Sequence, residues 1–279
     1  MRKNIITPEE LYDIIQDEPI VVVDTRFSLS DTSKGKNDYI AGHIPGAVYF
    51  DLDKDLSSPL SKHGGRHPLP DFKELAAKLG QAGIDRSKHV IVYDDANGMI
   101  AGRLWWLLRY MGHSNVRILD GGFQAWQTNE YPVTEKVVSK HPVVFTPDFQ
   151  TEMLVSIDEL KEKLHSREAV IIDSRGSTRY TGEVEPIDQK AGHIPGAVSR
   201  PFEYNLQNGS FKSVPELKAR FIDLEATPEI IVYCGSGVSA VHNIIAMEEA
   251  GIDDVRLYAG SWSDWISYED NPITTGLEP

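Results

Sequence analysis

Short β-branched runs alternate along the chain with segments of helical period. The runs 20–24, 89–93 and 116–119, and later 169–173, 229–233 and 255–258, read as strands. Helical spacing predicts helices near 71–80, 99–111, 157–165, 215–224 and 238–250. Two helix starts, that of the 157–165 helix and one more near the N-terminus, carry their own signal. "TPEELYDII" has Thr7 with Glu10 three residues on, and "SIDELKEKL" has Ser156 with Glu159 three residues on. Both predict a reciprocal capping box. Strands alternating with helices imply α/β units around a mostly parallel sheet.

The pattern is written twice. "VVVDTR" (21–26) returns as "VIIDSR" (170–175), and "GHIPGAV" (42–48) returns unchanged at 192–198. "VIVYDD" (90–95) returns as "IIVYCG" (230–235), and "VRILDGGFQAW" (116–126) as "VRLYAGSWSDW" (255–265). Four blocks in one order, at a period far too long for a solenoid, make each copy a domain. The predicted organisation is a first domain at 1–135, a linker at 136–152 and a second domain at 153–279. The stretch around the linker carries Pro132, Pro142 and Pro147 without a clear period, and reads as extended.

Composition narrows the chemistry. The 279 residues are 41% hydrophobic and 25% charged, ordinary for a soluble protein with a real core. A net charge of −14 argues against nucleic acid. No run approaches a membrane span, and the first residues lack the apolar stretch of a signal peptide. A single cysteine, Cys234, forbids an internal disulfide and a thiolate-rich metal site, so no metal is expected and a reducing, cytoplasmic setting is. The charge is uneven. Residues 1–140 hold 17 Lys+Arg against 19 Asp+Glu, whereas 141–279 hold 11 against 23. An anionic substrate reaching the second copy therefore needs specific arginines or backbone donors.

The repeat serves as an internal control: features in both copies serve the fold, and features in one are candidates for chemistry. Asp24 with Arg26 and Asp173 with Arg175 occur in both, as do His43 and His193 and the tryptophans Trp126 and Trp265. Those read as structural ties and core. Cys234 occurs only in the second copy, where the first has Asp94 followed by Asp95. Two carboxylates cannot act as a soft nucleophile, so the first copy reads as catalytically inactive. Arg179 is also specific to the second copy. The first copy instead has 50 residues from His43 to Tyr93, against 40 from His193 to Tyr233. The excess falls in the polar stretch "FDLDKDLSSPLSKHGGRHPLP", a loop long enough to be functional.

"CGSGVSA" turns from a strand directly into a helix. There the backbone N–H groups of Gly235, Ser236, Gly237, Val238 and Ser239 can converge on the sulfur as an anion nest. The helix start adds partial positive charge, and both favour thiolate over thiol. Gly235 and Gly237 supply backbone freedom and room for an added atom, and Ser236 and Ser239 supply hydroxyl donors. Other readings compete. The G-x-G-x-x-A spacing from Gly235 to Ala240 matches a dinucleotide fingerprint, but it comes late and no acid ends the next strand. A cysteine phosphatase loop needs an arginine where Ala240 stands. A non-enzymatic binding module sits poorly with an intact cysteine loop.

These residues resemble the tandem-domain sulfurtransferases of the rhodanese superfamily over essentially the whole length: "GHIPGAV", the strand-tip "VYCGSGVSA", and Asp at the cysteine position of the first domain. The resemblance implies two rhodanese-like domains, each a mostly parallel sheet flanked by helices. It implies an EC 2.8.1 enzyme in which Cys234 takes a sulfane sulfur from a small anionic donor, forms a persulfide, and passes the sulfur to cyanide or a thiol. No cofactor follows from it. The neutral loop after Cys234 resembles the 3-mercaptopyruvate branch, since the thiosulfate branch typically has two basic residues there. Arg179, in "RYTG", matches the family's substrate-binding arginine, but Ile187 stands where the mercaptopyruvate branch usually has a second one. That departure keeps thiosulfate open as donor, with Arg200 as a possible compensation. Asp53 and His67 match first-domain residues proposed in that branch to assist the cysteine with Ser236, and Arg66 is a further anion contact. The alternative from another class is a persulfide relay whose acceptor is a protein.

Overall fold

The computed structural model describes residues 2–16 and 20–277. It contains two compact units: Met1–Ser58 with Pro70–Gln150, and Pro59–Leu69 with Thr151–Pro279. The long loop of the first copy is therefore divided, and its segment 59–69 folds with the second unit. The stretch predicted as linker is extended, and much of it lies along the first unit. Val143, Asp148 and Gln150 donate backbone N–H bonds to the carbonyls of Gly80, Met111 and Tyr110.

The first unit runs β1 (Ile5–Ile6), α1 (Pro8–Ile14), β2 (Ile20–Asp24), α2 (Lys34–Ala41), β3 (Val48–Tyr49), α3 (Phe72–Gln81), β4 (His89–Tyr93), α4 (Met99–Tyr110), β5 (Val116–Leu119), α5 (Gly122–Thr128). Its sheet is parallel throughout, in the order β1-β5-β4-β2-β3. The second unit runs α6 (Ile157–Ser166), β6 (Val170–Asp173), α7 (Ser177–Thr181), β7 (Val198–Ser199), β8 (Leu206–Gln207), β9 (Ser210–Phe211), α8 (Val214–Phe221), β10 (Ile230–Tyr233), α9 (Ala240–Ala250), β11 (Arg256–Leu257), α10 (Ser261–Trp265). Its parallel sheet has the order β11-β10-β6-β7, with Leu154 bridging Leu257 in parallel at the β11 edge, and β8 and β9 form a separate antiparallel hairpin.

The central strands are short Ile/Val runs because both faces are covered, which leaves no place for a polar alternation. Tyr93 and Tyr233, at the tips of β4 and β10, are fully buried. Trp126 and Trp265 sit in the two core clusters, each spending its indole N–H on a proline carbonyl, Pro132 and Pro272. The shared Asp–Arg pairs make the same bonds twice. Arg26 grips Asp24 and the carbonyl of Gly42, and Arg175 grips Asp173 and the carbonyl of Gly192, with Nη2–Oδ2 distances of 2.7 and 2.6 Å. Each pins the Gly-His-Ile-Pro turn to a strand end. The Nδ1 atoms of His43 and His193 pair with the carbonyls of Tyr39 and Tyr180, and His43 Nε2 also pairs with the Lys136 carbonyl at 3.3 Å.

The two helix starts differ. Thr7 and Glu10 form the predicted reciprocal box. Ser156 caps the N–H of Glu159, but the Glu159 carboxylate is drawn to Arg256 instead, at 2.6 Å. A buried-rim guanidinium outbids a backbone N–H that water can serve. A box that the hydrophobic pattern did not flag, Ser213 with Glu216, opens α8.

Candidate active site

Cys234 follows the last residue of β10, 1% exposed, and the chain then loops into α9. Burial pushes its thiol up. The Ser239 hydroxyl and the N–H groups of Ser236, Ala240 and Val238 outweigh that, and the thiol lies below its usual value. The backbone groups that act on the sulfur are thus those of Ser236, Val238 and Ala240, alternate positions along the turn. Gly237 makes it possible: its φ is +72°, and a Cβ there would lie 2.2 Å from the carbonyl oxygen of Ala259. The loop is held from below by α10, whose Trp262 and Ser263 N–H groups bond the carbonyls of Cys234 and Gly235 at 2.9 and 3.0 Å.

Ser261 was not visible from sequence as a site residue. It adopts φ +57°, rare for a side-chain-bearing residue, and its Oγ accepts the Cys234 N–H at 3.1 Å while lying 4.0 Å from Sγ. The signal was available in the repeat: Gly122 holds the same place in the first copy with the same φ.

The segment 59–69 is stapled to α10 and the turn after it. Gly64 N–H bonds Asp264 Oδ1 at 2.7 Å, Arg66 N–H bonds Ser263 Oγ at 3.0 Å, and His63 Nδ1 pairs with Ser267 Oγ at 2.8 Å. His63 also stacks on Tyr268. Gly65 has no room for a Cβ, which would lie 2.4 Å from the Gly260 carbonyl oxygen. This anchoring brings His67 to the loop, where its Nδ1 lies 2.7 Å from Ser236 Oγ, both residues buried. Ser236 therefore touches the nest with its N–H and the imidazole with its hydroxyl.

Two guanidinium groups flank Gly235. A Cβ built there would lie 2.6 Å from Arg66 Nη2 and 3.4 Å from Arg179 Nη1. A side chain at position 235 would push the Arg66 guanidinium aside. Arg179 extends from α7 and is fixed by Glu185, with Nε–Oε2 at 3.0 Å and Nη2–Oε1 at 2.8 Å. Asp188 bonds Arg179 Nη2 and Arg66 Nε, each at 2.8 Å. Glu185 and Asp188 escaped sequence reading, although "EVEPID" sets both a few residues after Arg179.

The remaining expected residues have surroundings of their own. Ile187 is 47% exposed and only its N–H is engaged, by Glu185. Arg200 bonds Asp223 Oδ2 at 2.5 Å and the Ser199 carbonyl. Asp53 belongs to the first unit, where its N–H bonds Asp51 Oδ1. Partial burial and the Asp51 carboxylate push the Asp53 carboxyl up. Among the described residues no group of His, Cys, Asp and Glu is set to hold a metal ion, and no helix is long and apolar enough to cross a membrane.

A buried low-pKa thiol, a ring of N–H donors and two arginines suit a nucleophile that attacks an anionic, sulfur-bearing molecule. The comparisons agree with this chemistry. A family model described as a rhodanese-like domain matches twice, at residues 7–129 and 156–268. A probable 3-mercaptopyruvate sulfurtransferase of Pseudomonas aeruginosa is 41% identical over 98% of this chain and 98% of its own. A putative thiosulfate sulfurtransferase, SseB, of Mycobacterium tuberculosis is 36% identical over 98% of this chain and 97% of its own. The crystal structure of SseA from Escherichia coli, described as a 3-mercaptopyruvate sulfotransferase with the rhodanese fold, superposes with a TM-score of 0.81. It is 33% identical and covers 94% of this chain and 100% of its own.

Proposed function

The chain belongs to the rhodanese-like family, and from that premise we propose that it moves a sulfane sulfur from 3-mercaptopyruvate to cyanide or a thiol through a persulfide on Cys234. The observation that carries the proposal is the place of Cys234 at the start of the turn, where N–H and hydroxyl donors lower its thiol pKa, beside the two guanidinium groups that flank Gly235. The Cys234 thiolate attacks the sulfur of the donor. An S–S bond forms, the donor C–S bond breaks, and its electron pair leaves on carbon as the enolate of pyruvate, which takes a proton. The donor sulfur is oxidised to the sulfane level and the carbon is reduced, so no external oxidant is needed. A nucleophile such as cyanide then attacks the outer sulfur, forms thiocyanate and returns the thiolate to the nest.

Arg179 and Arg66 bind the donor carboxylate through their remaining N–H groups, and the N–H groups of Ser236, Val238 and Ala240 stabilise charge on sulfur. Ser236 and His67 form the proton route nearest the sulfur, since their hydrogen bond joins the nest to a buried imidazole. No step is routed through Asp53. The first unit, with Asp94 at the cysteine position, performs no sulfur transfer. A protein that lives by one reduced thiol works in the cytoplasm, where that thiol stays free.

Thiosulfate is the second reading for the donor, supported by Ile187 in place of a second arginine and by a relative named for thiosulfate. Thiocyanate production from the two donors at matched concentration separates them. Mercaptopyruvate is expected to be the faster, and faster turnover of thiosulfate would reverse the assignment. Mass spectrometry after donor treatment should show one added sulfur on the wild type and none on Cys234→Ser. An unmodified wild type that still turns over points to transfer without a persulfide.

A further inference from the structure

Asp188 occupies an unusual place. Its side chain is 2% exposed, and it lies between the two arginines that flank Gly235. Oδ1 takes Arg66 Nε at 2.8 Å, and Oδ2 takes Arg179 Nη2 at 2.8 Å with Arg66 Nη2 at 3.4 Å. The backbone N–H of Asp188 is itself spent on Glu185 Oε1 at 3.0 Å, so the carboxylate is held where it is. Glu185 is 3% exposed and bridges Arg179 to Arg175, and Arg175 in turn grips Asp173. The linked group thus comprises the guanidiniums of Arg66, Arg175 and Arg179 and the carboxylates of Asp173, Glu185 and Asp188. Three positive charges meet three negative ones.

Two attractions act on an incoming anion. Short hydrogen bonds from guanidinium N–H groups depend on geometry and reward a planar carboxylate. The longer-ranged monopole attraction scales with the charge of the ligand and with the net charge of the site. Here the first survives, because Nη1 of Arg66 and of Arg179 is spent on neither Asp188 nor Glu185. The second is cancelled by Asp188 and Glu185 together, Asp188 being the carboxylate shared by both arginines. A dianion loses more hydration than a monoanion on entering a closed site, and here it gains no extra Coulomb attraction in return.

We propose that Asp188 sets donor selectivity: its carboxylate, together with that of Glu185, neutralises the arginine pair beside Cys234, so that the site accepts a planar monoanionic carboxylate donor and discriminates against a tetrahedral dianion. This rests on the reading of the site as one that takes an anionic sulfur donor, and it assigns the choice between the two donors to one residue. Asp188 acts through Arg66 and Arg179 and is a positioning residue.

The test compares kcat/KM for thiosulfate and 3-mercaptopyruvate in Asp188→Asn, Asp188→Glu and Arg66→Gln at fixed ionic strength. Asp188→Asn should raise the thiosulfate-to-mercaptopyruvate ratio on the order of tenfold, mostly through KM, and steepen the salt dependence of thiosulfate use. Arg66→Gln should lower the ratio, and the double variant Asp188→Asn/Arg66→Gln should return it toward wild type, because neutrality is restored. Asp188→Glu keeps the charge and should keep the ratio even where both activities fall. An unmoved ratio in Asp188→Asn, or an equal shift in Asp188→Glu, overturns the proposal. If Asp188→Asn does not fold, the sign of the Arg66→Gln shift decides alone. Thiosulfate and pyruvate binding to Cys234→Ser, with and without Asp188→Asn, is read by calorimetry. Selective tightening of thiosulfate supports the role of Asp188 even if the wild type turns over neither donor, an outcome that would sink only the sulfurtransferase reading.

Discussion

The loop after β4 and the loop after β10 both carry a strand into a helix, and they hold different contents. In the first unit the Asp94 carboxylate sits inside the turn and accepts four N–H bonds, from Ala96 and Gly98 on one oxygen and from Ile100 and Ala101 on the other, at 2.7–2.9 Å. In the second unit the N–H groups at the matching places, Ser236, Val238 and Ala240, face the Cys234 sulfur. The first copy therefore does not lack an aimed nest for want of Gly-Ser-Gly, as its letters suggest: Asn97 and Gly98 take the left-handed angles there, at φ 57° and 85°. It carries its own anion. The difference lies in the occupant and its neighbour, since Asp95 follows Asp94 where Gly235 follows Cys234 and leaves space for two guanidiniums. A nest stabilises whatever anion it holds; what stands beside it decides whether another anion can approach.

The largest effect comes from emptying the second nest of its nucleophile. Cys234→Ser should lower sulfur transfer to background with the fold intact, because a hydroxyl cannot carry sulfane sulfur and no disulfide or metal depends on this residue. Residual turnover would remove Cys234 from the mechanism. In that background Asp94→Cys places a thiol in the other nest. Titration with a thiol reagent should show it ionising below the ordinary ~8.5, yet thiocyanate production should stay at background because Asp95 repels the donor. Turnover there would mean the nest alone suffices.

Removing the carboxylate from the first nest should act on stability instead. Asp94→Ala leaves four buried N–H groups without their acceptor, at a cost of about 2–4 kcal/mol by denaturant unfolding. Added formate or nitrate should recover part of it, and an unchanged midpoint would show that water serves the nest as well. Arg179→Ala tests what stands beside the active nest. Losing a charge-assisted bond of ~1.5–3 kcal/mol lowers kcat/KM for an anionic donor about 10- to 100-fold, with little effect on iodoacetamide labelling of Cys234 at saturating reagent. A loss confined to kcat would place Arg179 at the sulfur instead.

The smallest effect is a pH shift. The thiolate is the reactive form, so activity falls as pH drops through the lowered thiol pKa. The Ser239 hydroxyl leads the groups that lower it. Ser239→Ala should move the acid limb to higher pH and leave the alkaline plateau nearly unchanged, because only the protonation equilibrium is altered. A limb that stays in place would assign the depression to the backbone donors alone.

Much of this was written in the order of the letters. Strands at 20–24 and 89–93 match the structure, because buried parallel strands must be short apolar runs wherever the chain folds. The Cys234 nest was legible because it is local: a strand, two glycines and a helix start determine where the N–H groups point. Repetition separated Asp24–Arg26 from Cys234 without reference to any other protein. The short helices α2 and α7 went unseen, since five to eight residues show too little period.

What the sequence could not display is pairing between charges far apart in it. Arg66 and Asp188 lie 122 residues apart, and His67 and Ser236 lie 169 apart. The segment that brings Arg66 and His67 reads as an excess loop of the first copy, and only its bonds to Asp264, Ser263 and Ser267 assign it to the second unit. The same holds for Glu159, whose letter pattern promised a capping box until Arg256 took its carboxylate. Local backbone geometry is set by neighbours in sequence, so the letters carry it. The net charge beside the sulfur is a sum over side chains that only the folded chain brings together, and there Asp188 and Glu185 offset what Arg66 and Arg179 bring.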